Sequence, residues 1–205
     1  MNQTGVQWRI QWLLVKTRRW RFRMLSTNAH AFERVRLVQP TLILGSGRVE
    51  LGSVRLGYWP SPGFFGGYIH LEARTPEARI LISDGVTLNN NCVLISDGAG
   101  ISIGSQTLLG PGVEVYDTDF HSLDPDLRRQ GGSGNGGSVA ASIGQNVFIG
   151  SGAKVLKGSS IGDNSVIGAG SVVSGTIPAN VIAAGAPCRV LRSLPHPRRW
   201  SSADA

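Results

Sequence analysis

"IGQNVFIGSGAKVLKGSSIGDNSVIGAGSVVSGTIP", residues 143–178, divides into blocks of six with an aliphatic residue at the head of each. Ile143, Ile149, Val155, Ile161, Ile167 and Val173 take the first position; Val147, Ala153, Ser159, Ser165 and Ser171 take the fifth. The same phase runs through "IGSQTLLGPGVEVYDTDF", residues 103–120, with Ile103, Leu109 and Val115 at the heads. A looser version starts at Ile82 in "ISDGVTLNNNCVLISDGA". Nine apolar residues at nine predicted positions make a repeat. A short fixed period implies a solenoid, and six matches neither a helix nor plain strand alternation. It fits a short strand followed by a glycine or asparagine corner. Three such sides close a triangular coil of about 18 residues, with the block heads along its axis. A glycine-rich β-sandwich would not hold phase so strictly.

The chain of 205 residues is long enough for one domain with a proper core, and its 28 glycines are about twice the usual share. Glycine without a triplet period points to many tight turns. The formal charge of +7 sits at the ends: Arg9, Lys16, Arg18, Arg19, Arg21 and Arg23 in front, Arg189, Arg192, Arg198 and Arg199 behind. With no nucleic-acid-binding motif, such end-loading suits anionic small molecules or an anionic membrane face, and no nucleic-acid partner is expected. Cys92 and Cys188 are too few and too far apart for a disulfide framework or a zinc knuckle. No secretory leader pattern and no apolar run long enough to span a bilayer is visible, so the cytoplasm is the expected compartment.

After Phe120 the sixes stop, and they resume at Ile143. The 22 residues 121–142 include a glycine-rich run and read as an extruded loop of functional length. His121 lies at its root, where a rigid scaffold can aim a side chain beside a mobile cover. Imidazole is mostly neutral at pH 7 and can take a proton from an attacking hydroxyl; by residue type alone, a surface histidine in a polar loop remains the rival reading. Asp117 and Asp119 could orient that ring, or form with "DPDLRR" a locally charge-paired loop.

"IGDNSVIGAGSVV", "IPANVIAAGAPCRVLR" and "DFHSLDPDLRR" together resemble the hexapeptide-repeat acyltransferases, in the galactoside and maltose O-acetyltransferase branch with its polysaccharide-modifying relatives. The resemblance spans about residues 80–192. It implies an all-β solenoid, a left-handed parallel β-helix, assembled as a homotrimer, with acetyl-CoA as donor and no metal. It implies His121 as the general base, and Asn89 and Asp97 as acceptor-binding residues. On the donor side it implies Ser151 beside the thioester, Ala169 and Ser174 along the pantetheine route, and Arg189 and Arg192 at the phosphates. The family often has a lysine where this chain has Gly175, so one cofactor contact is expected to be missing. Cys188 is expected to pack rather than react.

Three asparagines in a row, Asn89 to Asn91, are poor strand formers, so corner geometry is expected for at least one of them. Upstream, His70, Glu72 and Arg74 alternate on one strand face, polar enough for substrate contact, with a solvated face as the plainer reading. In "VQWRIQWLLVKTRRWRFRM", Trp8, Ile10, Trp12 and Leu14 alternate while Trp8 and Trp12 also have helical spacing, leaving strand or helix open. The segment can cap the first coil or lie on a membrane surface, through residues 6–25. The expected organisation is residues 1–40 as cap or membrane-surface segment, 41–184 as β-helix, and 185–205 as C-terminal segment.

The expected reaction is direct acetyl transfer to a saccharide hydroxyl, in cell-surface polysaccharide biosynthesis. Rivals are N-acylation of a nucleotide-linked amino sugar, a non-catalytic β-helix scaffold, and a zinc hydratase on the same fold. The last requires three histidine ligands, whereas His30, His70, His121 and His196 are isolated in sequence.

Overall fold

A computed structural model describes residues 5–130 and 137–195; the glycine run 131–136 and the tail 196–205 lie outside the described residues. The chain winds as a left-handed parallel β-helix with three faces, preceded by one long helix. The first face stacks Arg36–Leu37, Arg55–Leu56, Thr87–Leu88, Leu108–Leu109, Phe148–Ile149, Val166–Ile167 and Val181–Ala184. The second stacks Thr41–Leu44, Ile69–Ala73, Val93–Ser96, Glu114–Tyr116, Lys154–Val155 and Val172–Val173. The third stacks Arg48–Leu51, Arg79–Ile82, Ile101–Ile103, Ala141–Ile143, Ser160–Ile161 and Thr176–Ile177. Arg189–Ser193 then folds back antiparallel onto Val181–Ala184 and covers the last edge of the first face.

The register follows the sequence period. Leu109, Ile149 and Ile167 are stacked partners, as are Val115, Val155 and Val173, and Ile103, Ile143 and Ile161. All nine block heads are at most 3% exposed, so they form the apolar axis. Partners Ile149 and Ile167 are 18 residues apart, whereas Leu109 and Ile149 are 40 apart. The difference of 22 residues is the interruption after Phe120, which the coil extrudes without losing its phase. One coil earlier the offset from Leu88 to Leu109 is 21, three more than a full turn, because "SDGAG" widens the corner after Ser96.

Each corner must turn the chain within a few residues, and all three do so through left-handed backbone, the corner after the second face at Gly45, Gly100, Gly158 and Gly175. After the third face, Gln106, Asn146, Asn164 and Asn180 have φ between 51° and 60°. Asparagine is among the few residues besides glycine that tolerate this region. Here it does a second job: Asn146 Nδ2 donates to Asn164 Oδ1 at 2.9 Å, and Asn164 Nδ2 to Asn180 Oδ1 at 3.0 Å. After the first face the same turn is made at Asn91, Gly112, Gly152 and Gly170.

The N-terminal segment resolves as a helix, Gly5–Leu25, with no acidic residue. Trp8, Val15 and Phe22, two turns apart, face the solenoid; Val15 is 1% exposed. Trp8, Trp12 and Phe22 meet an insertion at residues 58–68, the two tryptophans edge-on to Trp59 at 5.4 and 6.3 Å and Phe22 against Tyr68 at 4.9 Å. Arg19 donates to the Leu37 carbonyl at 2.8 Å and Arg18 to that of Gly67 at 3.0 Å, so two cations bind the solenoid rather than solvent.

Truncating Ile149 to alanine at the fully buried axis is predicted to cost about 2–5 kcal/mol, read as a lower denaturant midpoint.

Candidate active site

His121 is exposed, and its position is set by what precedes it. Asp117 ends the second-face strand with its side chain turned inward and fully buried. Its carboxylate accepts from Ser96 Oγ at 2.7 Å, Asp97 N at 2.7 Å and Gly100 N at 2.6 Å. Its carbonyl accepts from Val139 N at 2.8 Å and Ser138 Oγ at 3.1 Å, and Thr118 bridges Ser138, so both stems of the loop are fastened at one residue. The sequence left open whether Asp117 orients the imidazole; instead it clamps the widened corner at 97–100 to the loop root. Asp119 pairs with Lys157 at 2.5 Å, and its carbonyl accepts from His121 N at 2.7 Å. Neither aspartate side chain bonds the ring.

Phe120 carries the geometric cost of presenting His121. Its φ is +63°, unusual for a bulky residue and worth about 1–3 kcal/mol of strain. The ring is held on both sides: edge-on to Tyr116 at 5.1 Å, and under the Arg74 guanidinium at 4.9 Å. Arg74 is fixed in turn by Glu72 at 3.0 Å, which also bonds His70 Nε2 at 3.0 Å. Burial would raise the Glu72 pKa, but the bonds from His70 and Arg74 outweigh it and hold the carboxyl below its ordinary value. The polar stripe expected to be merely solvated is therefore a bonded chain ending at the residue before His121. Alternation in the sequence showed the stripe; only the solenoid shows that Arg74 lies beside Phe120.

The rest of the loop is locally charge-paired. Asp124 caps a single helical turn, Pro125–Arg129, by accepting from Asp126 N and Leu127 N at 2.8 and 3.1 Å. Arg128 donates to the Ser122 carbonyl at 3.0 Å, and Arg129 pairs with Asp126 at 2.5 Å.

The remaining candidates fall into two groups on different corners. Asp97 shares the corner of His121, between the second and third faces, and Ser174 stands at the same corner on a later coil. Asn89, Ser151 and Ala169 stand at the corner between the first and second faces, one full face away. There the coils are nearly flush: a Cβ on Gly150 would come within 2.5 Å of Ala169 N, and one on Gly110 within 2.8 Å of Ser151 N. Ser151 and Ala169 are exposed on adjacent coils of this stack. Arg189 and Arg192 project from the exposed fold-back strand at its C-terminal end. A single chain thus brings His121 together with Asp97 but not with Ser151 or Ala169.

The asparagine triplet is mostly architectural. Asn90 is fully buried and places its amide nitrogen 3.0–3.2 Å from the carbonyls of Tyr58, Ser61 and Pro62, which anchors the insertion. Asn91 supplies the left-handed turn and exchanges bonds with Gln39 at 2.9 and 3.0 Å. Asn89 is half-buried, and its side-chain Oδ1 accepts from Asn90 N at 2.7 Å.

Neither cysteine is poised for chemistry. Burial pushes the Cys92 thiol up to about 12 and raises that of Cys188 as well, so the reactive thiolate is scarce at neutral pH. Among the described residues, no three His, Cys, Asp or Glu side chains converge as a metal site; His196 lies outside those residues.

Residues 140–175 match the family described as bacterial transferase hexapeptide (six repeats). A Saccharomyces cerevisiae protein described as an acetyltransferase is 39% identical over 147 residues, covering 72% of this chain and 68% of the relative. The galactoside O-acetyltransferase of Lactococcus lactis is 44% identical over 110 residues, covering 54% of this chain and 51% of its own length. Among solved structures, the hexapeptide-repeat acetyltransferase of Vibrio cholerae in complex with acetyl-CoA superposes with a TM-score of 0.53 at 26% identity, over 88% of this chain and 87% of that one. The chain belongs to the hexapeptide-repeat acyltransferases.

Replacing Asp117 with alanine strands two buried donors, Ser96 Oγ and Gly100 N, and the half-buried Asp97 N. The predicted result is a loss of about 1–3 kcal/mol or more in chemical denaturation, with faster proteolytic nicking between residues 118 and 138.

Proposed function

We propose that this protein is an acetyl-CoA-dependent O-acetyltransferase that acetylates a saccharide hydroxyl by direct transfer. The observation that carries the reading is the exposed His121, anchored through Phe120, Asp119 and Asp117 at the edge of a rigid coil. In this reading His121 Nε2 or Nδ1 accepts the hydroxyl proton as the oxygen attacks, a role worth about 10²–10⁴-fold in rate. The donor supplies an activated thioester carbonyl; as the new C–O bond forms, its C–S bond breaks and coenzyme A leaves as the thiol, taking the proton back from the imidazolium. Asn89 and Asp97 offer amide and carboxylate groups to acceptor hydroxyls.

The chain's own residues fit a long, phosphate-bearing donor. Small side chains and glycines line the flush corner at Ser151 and Ala169, where an extended chain can lie across the coils, and Arg189 and Arg192 are suited to phosphates at its end. Because that corner is one face away from His121, the reading requires a second chain's corner to meet the base, which a homotrimer of solenoids provides. We take the acceptor to be a cell-surface polysaccharide or lipid-linked sugar handled on the cytoplasmic side, with membrane contact through the N-terminal helix.

His121→Ala is predicted to lower acetyl-CoA consumption by at least about 100-fold while sedimentation shows an unchanged assembly. Near-normal turnover would overturn the assignment. Assayed over free, nucleotide-linked and lipid-linked sugars, the wild type is expected to turn over hydroxyl acceptors; product carrying only an amide would shift the reading to N-acylation. Iodoacetamide at neutral pH is predicted to leave turnover intact, as direct transfer needs neither thiol.

A further inference from the structure

The N-terminal helix has a second face that the solenoid does not use. Ile10, Leu13 and Leu14 in its first half and Trp20, Met24 and Leu25 in its second lie opposite Trp8, Val15 and Phe22, with Thr17 and Arg21 between them on the same face. Each is 53–68% exposed, so one helix buries one apolar stripe and presents another outward. Scattered surface leucines need no explanation, but six large exposed apolar side chains on one side of a single helix mark a contact.

What covers it is indicated by charge. Arg9, Lys16, Arg21 and Arg23 on this helix are exposed, and no Asp or Glu occurs before Glu33. A second copy of so cationic a surface would repel the first. On the flank of the helix, Arg9, Lys16 and Arg19 surround Trp12 and Leu13 at a shallow groove of about 320 Å³. Cations ringing an apolar floor match a lipid phosphate above its acyl chain. No described helix is long and apolar enough to cross a bilayer, which leaves a helix lying in the interface.

We infer that the outward face of the helix Gly5–Leu25 seats the protein on an anionic bilayer, with Leu13, Leu14 and Trp20 in the acyl boundary and Arg9, Lys16, Arg21 and Arg23 at the headgroups. This extends the membrane element of the proposed function and is independent of acetyl transfer. An exposed cation near an anionic leaflet contributes about a fivefold gain in partitioning, so binding requires anionic lipid.

The test is co-sedimentation of the full chain with vesicles of equimolar phosphatidylglycerol and phosphatidylcholine, and with phosphatidylcholine alone. Binding is expected to the first and at least about tenfold weaker to the second. The double variant Leu13→Asp/Trp20→Asp is expected to abolish binding, with unchanged assembly mass and unchanged acetylation of a soluble sugar. Absence of binding to the anionic vesicles overturns the inference, even if acetylation proceeds. So does a change of assembly mass in the double variant, which would assign the face to a second copy. Vesicle binding by a protein that acetylates nothing leaves this inference standing and removes the proposed reaction.

Discussion

Every feature of this molecule depends on one repeated burial event, an aliphatic side chain at each sixth residue pointing to the axis of a triangular coil. Removing one such side chain from water is worth about 1.5–3 kcal/mol, and the stack repeats it along all three faces. Strand pairing alone would not fix the phase of these two- and three-residue strands. The axis does, since a shift by one residue would turn the whole apolar set outward. With the phase fixed, each corner falls at a predictable place, and side chains at the corners become the addressable positions of the molecule.

Function is then a matter of which corner is altered. The corner between the second and third faces is enlarged twice in succession, by three residues at Asp97–Ala99 and by 22 after Phe120. Asp117 joins both enlargements by turning a carboxylate inward against three donors. A buried carboxylate is tolerable only when so fully bonded. Its consequence is rigidity where regular winding stops, and His121 stands four residues further on. Phe120 holds a left-handed backbone between Tyr116 and Arg74, so this strain is offset by packing drawn from the neighbouring coils.

The solenoid was legible in the sequence because its determinants are local and periodic, and the loop was legible as a break in that period. The asparagine corners were half-legible: residue type suggested turns, but the ladder from Asn146 to Asn180 needs coils 16 to 18 residues apart to lie in contact. The inward turn of Asp117 was hidden, since an acid four residues before an extruded, glycine-rich loop reads as solvated. Arg74 was hidden for a similar reason, being 46 residues from Phe120 in sequence and beside it in the fold. The helix was ambiguous because Trp8, Ile10, Trp12 and Leu14 satisfy both spacings; burial of Val15 and packing of Trp8 and Phe22 against the 58–68 insertion decide it. Its double apolar character is visible only after one face has been assigned to the solenoid.

The winding puts His121 and the Ser151–Ala169 corner on opposite edges of one face, so the proposed reaction requires an active site shared between chains. Co-assembling His121→Ala with Ala169→Trp, each inactive alone, tests it. Random co-assembly is predicted to recover about one quarter of the wild-type rate over the whole population, since half the bases and half the facing corners are intact. Mixed assemblies that form at the same mass and remain inactive would contradict it, placing base and donor within a single chain.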